Sequence, residues 1–146
     1  MPAVPKRGRV KLPPEPTFAE GVFQRALIDA ANATPGLRAW RQQTGKVRVR
    51  GGFMQLSPNG AGDIVGTAAP DGLHWEAEVK GWKTAVQPDQ DPWGAATEEA
   101  GAVYVRCRPR RGESLGEAVA RCVAELLEAV GEARSRRAGG GGAWAR

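Results

Sequence analysis

Residues 60–80, GAGDIVGTAAPDGLHWEAEVK, constrain the chain more tightly than any other stretch. They read as a β-hairpin: a short strand in GDIVGTA, turn chemistry at Pro70-Asp71-Gly72, and a second strand in LHWEAEVK with a period of two. In that strand Leu73, Trp75, Ala77 and Val79 point one way, and His74, Glu76, Glu78 and Lys80 the other. With residues 69–72 as the loop, Ala68 opposes Leu73, and keeping the register brings Asp63 opposite Glu78. Side chains paired in this way stand roughly 4.5–5.5 Å apart at Cβ. Two carboxylates at that spacing repel unless a cation lies between them. Lys80, on the same face, supplies one charge, and a divalent ion would supply more. Mg²⁺ suits such a pair, since it takes one or two protein carboxylates and completes its shell with water and phosphate. The plain alternative is a solvent-facing strand with alternating charges. Glu76 and His74 are expected to be solvated on that face.

Composition limits the alternatives. The chain has 146 residues, enough for one domain with a real core. No apolar run reaches the roughly 18 residues of a membrane span, and no signal-peptide core is visible, so no membrane is expected as a partner. Two cysteines, Cys107 and Cys122, make no disulfide framework, and a reduced, cytoplasmic setting is the expectation. Cys107 lies in an apolar run, residues 102–107, that reads as a strand in which it packs. Of the 21 basic residues, seven fall in residues 1–14 and 135–146, where there is no acid. The remaining 14 face 16 acids, so the net charge of +5 belongs largely to the ends, a distribution suited to non-specific phosphate binding.

Residues 1–16 are Pro-rich and basic and read as a disordered tail. Thr17 and Glu20 have the spacing of a capping box, opening a helix with Phe18, Val22, Phe23, Ala26, Leu27 and Ala30 as its apolar stripe and Thr34-Pro35-Gly36 as its stop. Residues 37–50 hold Arg38, Arg41, Lys46, Arg48 and Arg50 around Trp40 with no acid. Alternation over residues 46–50 predicts a strand with its basic side outward, either a track for a phosphate backbone or a solvated edge. After the hairpin, residues 81–87 form a loop with Trp82 and Lys83. The next helix starts at Pro88, or one turn later with Asp91 as N-cap and Pro92 at its first position, and stops at Gly101. Ser114 and Glu117 form a second capping box, before a stripe from Leu115 to Val130 that serves the core or a homodimer interface. Residues 132–146, with four consecutive glycines and an isolated Trp144, read as a flexible tail.

These motifs resemble the PD-(D/E)xK (restriction-endonuclease-like) superfamily, and within it the VRR-NUC type of nuclease domain. The likeness rests on Gly51-Gly52, the Gly-x-Gly-Asp-Ile-Val-Gly of residues 60–66, Glu78-Val79-Lys80-Gly81, Gln87-Pro88-Asp89-Gln90, and the Ala-Gly-Ala-Val-Tyr-Val-Arg of residues 100–106. It covers roughly residues 17–108. Gly62 stands where the family has a proline before its first catalytic aspartate. The resemblance implies an α/β fold with a restriction-endonuclease-like core: a small mixed sheet flanked by helices in the order αβββαβ, with a C-terminal helix added, over a nuclease domain of residues 17–131. It further implies Mg²⁺- or Mn²⁺-dependent hydrolysis of phosphodiester bonds in DNA, structure-specific for branched or junction DNA in one version. Asp63, Glu78, Lys80 and Gln90 would be the catalytic set, and Asp63, Glu78 and the Val79 carbonyl the metal ligands. Glu20 would either complete the metal site or act as the helix cap. Arg38, Arg41, Lys46, Arg48, Arg50 and Lys83 would contact DNA. The competing expectation is a DNA-binding subunit that keeps the fold without turnover.

Overall fold

A computed structural model describes residues 8–43 and 45–139. Lys6, Arg7, Trp144 and Arg146 lie outside the described residues. The elements run α1 (Glu20–Ala33), β1 (Leu37–Arg41), β2 (Lys46–Val49), β3 (Gly52–Gln55), β4 (Ile64–Ala68), β5 (Leu73–Val79), α2 (Gln90–Glu99), β6 (Val103–Cys107) and α3 (Leu115–Gly139). Four strands form a mixed sheet in the order β1-β4-β5-β6. β1, β4 and β5 are antiparallel neighbours, and β6 runs parallel to β5 after the α2 crossover. β2 and β3 form a separate two-stranded ribbon.

The order is therefore αβββαβ plus a helix for the main sheet, but its first strand is β1 and not the basic segment 46–50. β1 was hidden by its composition. Leu37 and Ala39 are its only buried residues, because as an edge strand it covers the core with one face only. The hairpin closes as expected, with Ala68 opposite Leu73 and Ile64 opposite Ala77.

Alternation divides the sheet into an apolar and a polar face. Leu37, Ala68 and Leu73 share the apolar face with Trp75, Val103, Ile64, Ala77, Val79 and Cys107. α1 and α3 cover it. Phe23, Leu27 and Ala31, four residues apart, form the α1 stripe, and Cys122, Leu126 and Val130 lie on that of α3. Burying each large apolar side chain contributes roughly 1.5–3 kcal/mol. Cys107 and Cys122 are buried free thiols in this core, as packing requires. The polar face is covered by α2, so β5 is buried on both sides and only His74 along it is exposed.

The helix ends differ from expectation in three places. α1 begins at Glu20 with Ala19 as N-cap and no side-chain cap, so the Thr17–Glu20 capping box does not form. α2 begins at Gln90 with Asp89 as N-cap. Pro92 then sits third in the helix, where its missing N–H is one of the amides a helix start leaves unpaired anyway. α3 runs on to Gly139, so residues 132–139 are helical and not a tail. Their anchor is tertiary: Ala133 is buried, and Arg134 donates to the carbonyls of Ala68 and Ala69 and to Asp71 Oδ1 at 2.9 Å. Half of the second capping box forms: the Glu117 amide donates to Ser114 Oγ at 3.2 Å, while the Glu117 carboxylate accepts from the Ser114 hydroxyl and not from its amide.

Residues 8–16 carry no helix or strand, and part of them is held. The Gly112 amide donates to Pro14 O at 2.8 Å, and Arg111 pairs with Glu15 at 3.2 Å. No helix among the described residues is long and apolar enough to cross a membrane.

Candidate active site

Continued one step past the Ile64–Ala77 pair, the hairpin register sets Asp63, just before β4, beside Glu78, near the end of β5. Asp63 is half-buried, and its Oδ2 accepts the Val79 amide at 2.9 Å. Val79 thus enters the site by its N–H, while its side chain lies in the core. Glu78 is buried. Its Oε1 accepts from Gln90 Nε2 and lies 3.1 Å from Lys80 Nζ, whereas its Oε2 is buried without a hydrogen-bond partner. Burial, then the nearby Asp63 charge, push the Glu78 carboxyl up from its ordinary 4.5 to about 7, and the Lys80 ammonium pulls it partly back.

Gln90 is oriented at the first position of α2, with its Oε1 accepting the Gln87 amide at 2.9 Å. Asp63, Glu78 and Gln90 line a cleft of about 210 Å³ with Gly45, residues 57–61, Gln87 and Asp89. Gly60 shapes one wall. Its φ of +85° is a glycine conformation, and a Cβ there would stand 2.1 Å from Asp89 O. Lys80 is not on the cleft lining and is as buried as Glu78, so its ammonium reaches the site through the Glu78 carboxylate.

Glu76 is the principal correction to the sequence reading. Expected on a solvated face, it is buried beneath α2. Its Oε1 accepts the Gly62 amide at 2.9 Å and Trp93 Nε1 at 3.0 Å, and Thr97 Oγ1 and His74 Nε2 lie 3.5 and 3.2 Å from its Oε2. One carboxylate thus ties the residue before Asp63 to the helix that carries Gln90. It also accounts for Gly62, since a proline there would have no N–H to donate. A Cβ at Gly62 would stand 3.0 Å from both Ala77 O and Glu76 Cβ. Trp93, an indole donor in a polar helix, is the sequence signal that a buried acceptor faces α2. Asp89, which the sequence reading places in the Gln87–Gln90 motif without a role, lies on the cleft rim.

Glu20 does not cap α1. Its Oε2 accepts the Gly81 amide and Thr84 Oγ1, both at 2.7 Å, which pins the loop after Lys80, and it is not on the cleft lining. The α1 residue that reaches Asp63 is Gln24, whose Nε2 is 3.4 Å from the Asp63 carbonyl.

The six basic candidates are exposed but do not share one track. Arg38 and Trp40 lie on the polar face of β1, in register with Thr67 and Val65. Arg41 lies on the opposite face, in a hollow with Gln24, Arg25 and Asp29 of α1. Lys46 and Arg48 belong to the ribbon, and Arg50 sits at its turn. Lys83 projects from the loop after β5, 3.8 Å from Glu15.

Among the described residues no three His, Cys, Asp or Glu side chains converge as a metal cage. The fit is to an ion that needs few protein ligands. The orphaned Glu78 Oε2 and the half-buried Asp63 offer two hard oxygen donors beside a cleft, the donor set expected for Mg²⁺ or Mn²⁺. The fold and site together define a mixed α/β protein with a carboxylate pair on the two central strands of its sheet, toward one end. Compared with known proteins, the chain matches no family model, no curated protein and no solved structure.

Proposed function

We propose that the protein is a metal-dependent nuclease that hydrolyses phosphodiester bonds in DNA, with a restriction-endonuclease-like core. One observation carries this reading: Asp63, just before β4, and Glu78, near the end of β5, line one cleft, and Glu78 keeps a buried oxygen without a hydrogen-bond donor. Glu76, buried beneath the same helix, has both oxygens met by protein donors, and Glu78 has only one. The order of β1, β4, β5, α2 and β6 also supports the core that the motifs lead one to expect.

Asp63 and Glu78 would hold Mg²⁺ or Mn²⁺. The bound ion would supply Lewis-acid polarisation of the scissile phosphate and a lowered pKa for the attacking water. Gln90 fixes the Glu78 carboxylate in the orientation that leaves Oε2 free. Lys80 offsets the charge of Glu78 and would act on charge developing at a phosphate held there through that carboxylate.

The burial of Lys80 in its pair with Glu78 favours a second reading, in which the lysine is structural and the protein binds DNA without cutting it. Incubation with linear and branched DNA in Mg²⁺ or Mn²⁺ separates the two. Cleavage by the parent protein that Asp63→Asn abolishes establishes the nuclease. Binding by both proteins with no cleavage by either establishes the silent binder.

A further inference from the structure

The β2–β3 ribbon stands apart from the sheet, and all eight of its residues are exposed. A two-stranded hairpin is marginal in water unless something covers a face. This one leaves Phe53 70% exposed and Met54 51% exposed, with Val47 and Val49 also uncovered. Its register sorts the side chains. Arg48 pairs with Phe53 and Lys46 with Gln55 on one face, while Val47 pairs with Met54 on the other. Arg50 sits at the turn, and no acid occurs from residue 42 to residue 62. The base of the ribbon is also a wall of the candidate site, because Gly45 and Ser57 line the cleft with Asp63 and Glu78. Leu56 N donates to Gly45 O at 2.9 Å and closes that base.

We propose that this ribbon is a strand-binding arm. Lys46, Arg48 and Arg50 take phosphates, and Phe53 stacks on an unpaired base a few nucleotides from the cleft. The proposal rests on the nuclease reading only for where the scissile phosphate lies. The cations would suit duplex or single strand alike, so Phe53 decides between them. It has no hydrogen-bonding group with which to read a base edge in a groove, but its ring offers a stacking surface to any base swung out of a helix. Four residues at roughly 3.3 Å each give an arm about 13 Å long, matching about four nucleotides of stacked strand. The substrate class is DNA with unpaired bases beside a duplex.

The test uses the whole protein in EDTA, so that binding is read without cleavage. The probe is a forked DNA with 2-aminopurine at the first unpaired positions, compared with a blunt duplex of equal length. The parent protein should quench the probe. Phe53→Ala should remove the quench and weaken fork binding about tenfold, leaving duplex binding within twofold. Phe53→Trp should retain both. Arg48→Ala should weaken fork and duplex equally. Equal loss on fork and duplex for Phe53→Ala would mean that the ribbon lies in a groove. No loss on either would remove it from the DNA surface. Conversion of a dimer to a monomer by the same substitution would assign the face to a second copy. Each of these overturns the arm. If the quench persists but no DNA is cut in Mg²⁺ or Mn²⁺, the nuclease reading fails and the arm stands.

Discussion

Replacing Asp63 with Asn should stabilise the metal-free protein at alkaline pH, and the size of the gain follows from Glu78. Its carboxyl titrates near pH 7 when folded against an ordinary 4.5. Below about pH 4.5 both folded and unfolded chains hold the proton, and Glu78 contributes nothing to stability. Between 4.5 and 7 the unfolded chain releases it while the folded protein keeps it, so stability falls as pH rises. Above pH 7 the loss is complete, at most about 3 kcal/mol from 1.36 kcal/mol per unit and less once water beside the cleft screens the charge. Burial is the largest cause and the Asp63 charge the second, so removing that charge recovers part of the loss, on the order of 1 kcal/mol. In Asp63→Asn the amide oxygen can still accept the Val79 N–H, so that bond need not be lost. In EDTA at pH 8 the variant should therefore melt about 3–5 °C higher than the parent, with the difference vanishing at pH 5. Millimolar Mn²⁺ should reverse the order, because only the parent keeps both carboxylates and gains binding energy. Thermal denaturation at the two pH values, with and without metal, measures all of this. A variant destabilised equally at both pH values, or stabilised by Mn²⁺ as much as the parent, would refute the carboxylate pair as a metal seat.

Lys80→Ala should leave Mn²⁺ affinity intact or tighter, since a cation is never a ligand, while single-turnover cleavage falls by two orders of magnitude or more. Parental single-turnover rates would leave Lys80 with a structural role only. Glu76→Leu strands the Gly62 amide and the Trp93 indole, at roughly 1–3 kcal/mol each, so denaturant unfolding should show a loss of about 3 kcal/mol. Glu76→Gln, which keeps an acceptor, should lose less. Replacing Arg41, Arg48 and Arg50 together should reduce the slope of log K against log salt by about 0.9 for each residue that contacts a phosphate. Because Arg41 faces α1, away from the ribbon, a reduction of two units rather than three is expected.

The hairpin was legible because its information is local. Turn residues at 70–72 fix the loop, the loop fixes the register, and the register sets Asp63 beside Glu78. β1 was not legible, since an edge strand with one covered face shows only Leu37 and Ala39 to the core, too few for a period to register. The end of α3 was misjudged for the opposite reason. The glycine run that marks a flexible tail begins only at Gly139, and the bonds that hold residues 132–139 reach across to residues 68–71 and to Gly101. Spacing did foresee the contact between Ser114 and Glu117. It failed at Thr17, because the helix starts three residues later and Glu20 has better donors in the loop at Gly81 and Thr84.

The polar face of β5 shows where alternation stops being informative. His74, Glu76, Glu78 and Lys80 present the pattern of a solvated strand, yet only His74 meets water. Alternation reports that two faces differ and does not report what covers either. The covering element here is α2, which brings Trp93 and Thr97 to Glu76 and Gln90 to Glu78 Oε1, and leaves Glu78 Oε2 unpaired. A buried carboxylate costs several kcal/mol unless hydrogen bonds offset it, so α2 must dock for β5 to keep this sequence. The dependence runs the other way as well. α2 has few apolar residues of its own to bury, and its buried positions are Gln90, Gly94 and Thr97. Its hold on the sheet is therefore largely polar, and two of the contacts that fix it, at Glu76 and Glu78, flank the metal seat proposed here. Changes at that seat should be felt in the docking of α2, and changes in α2 should be felt at the seat.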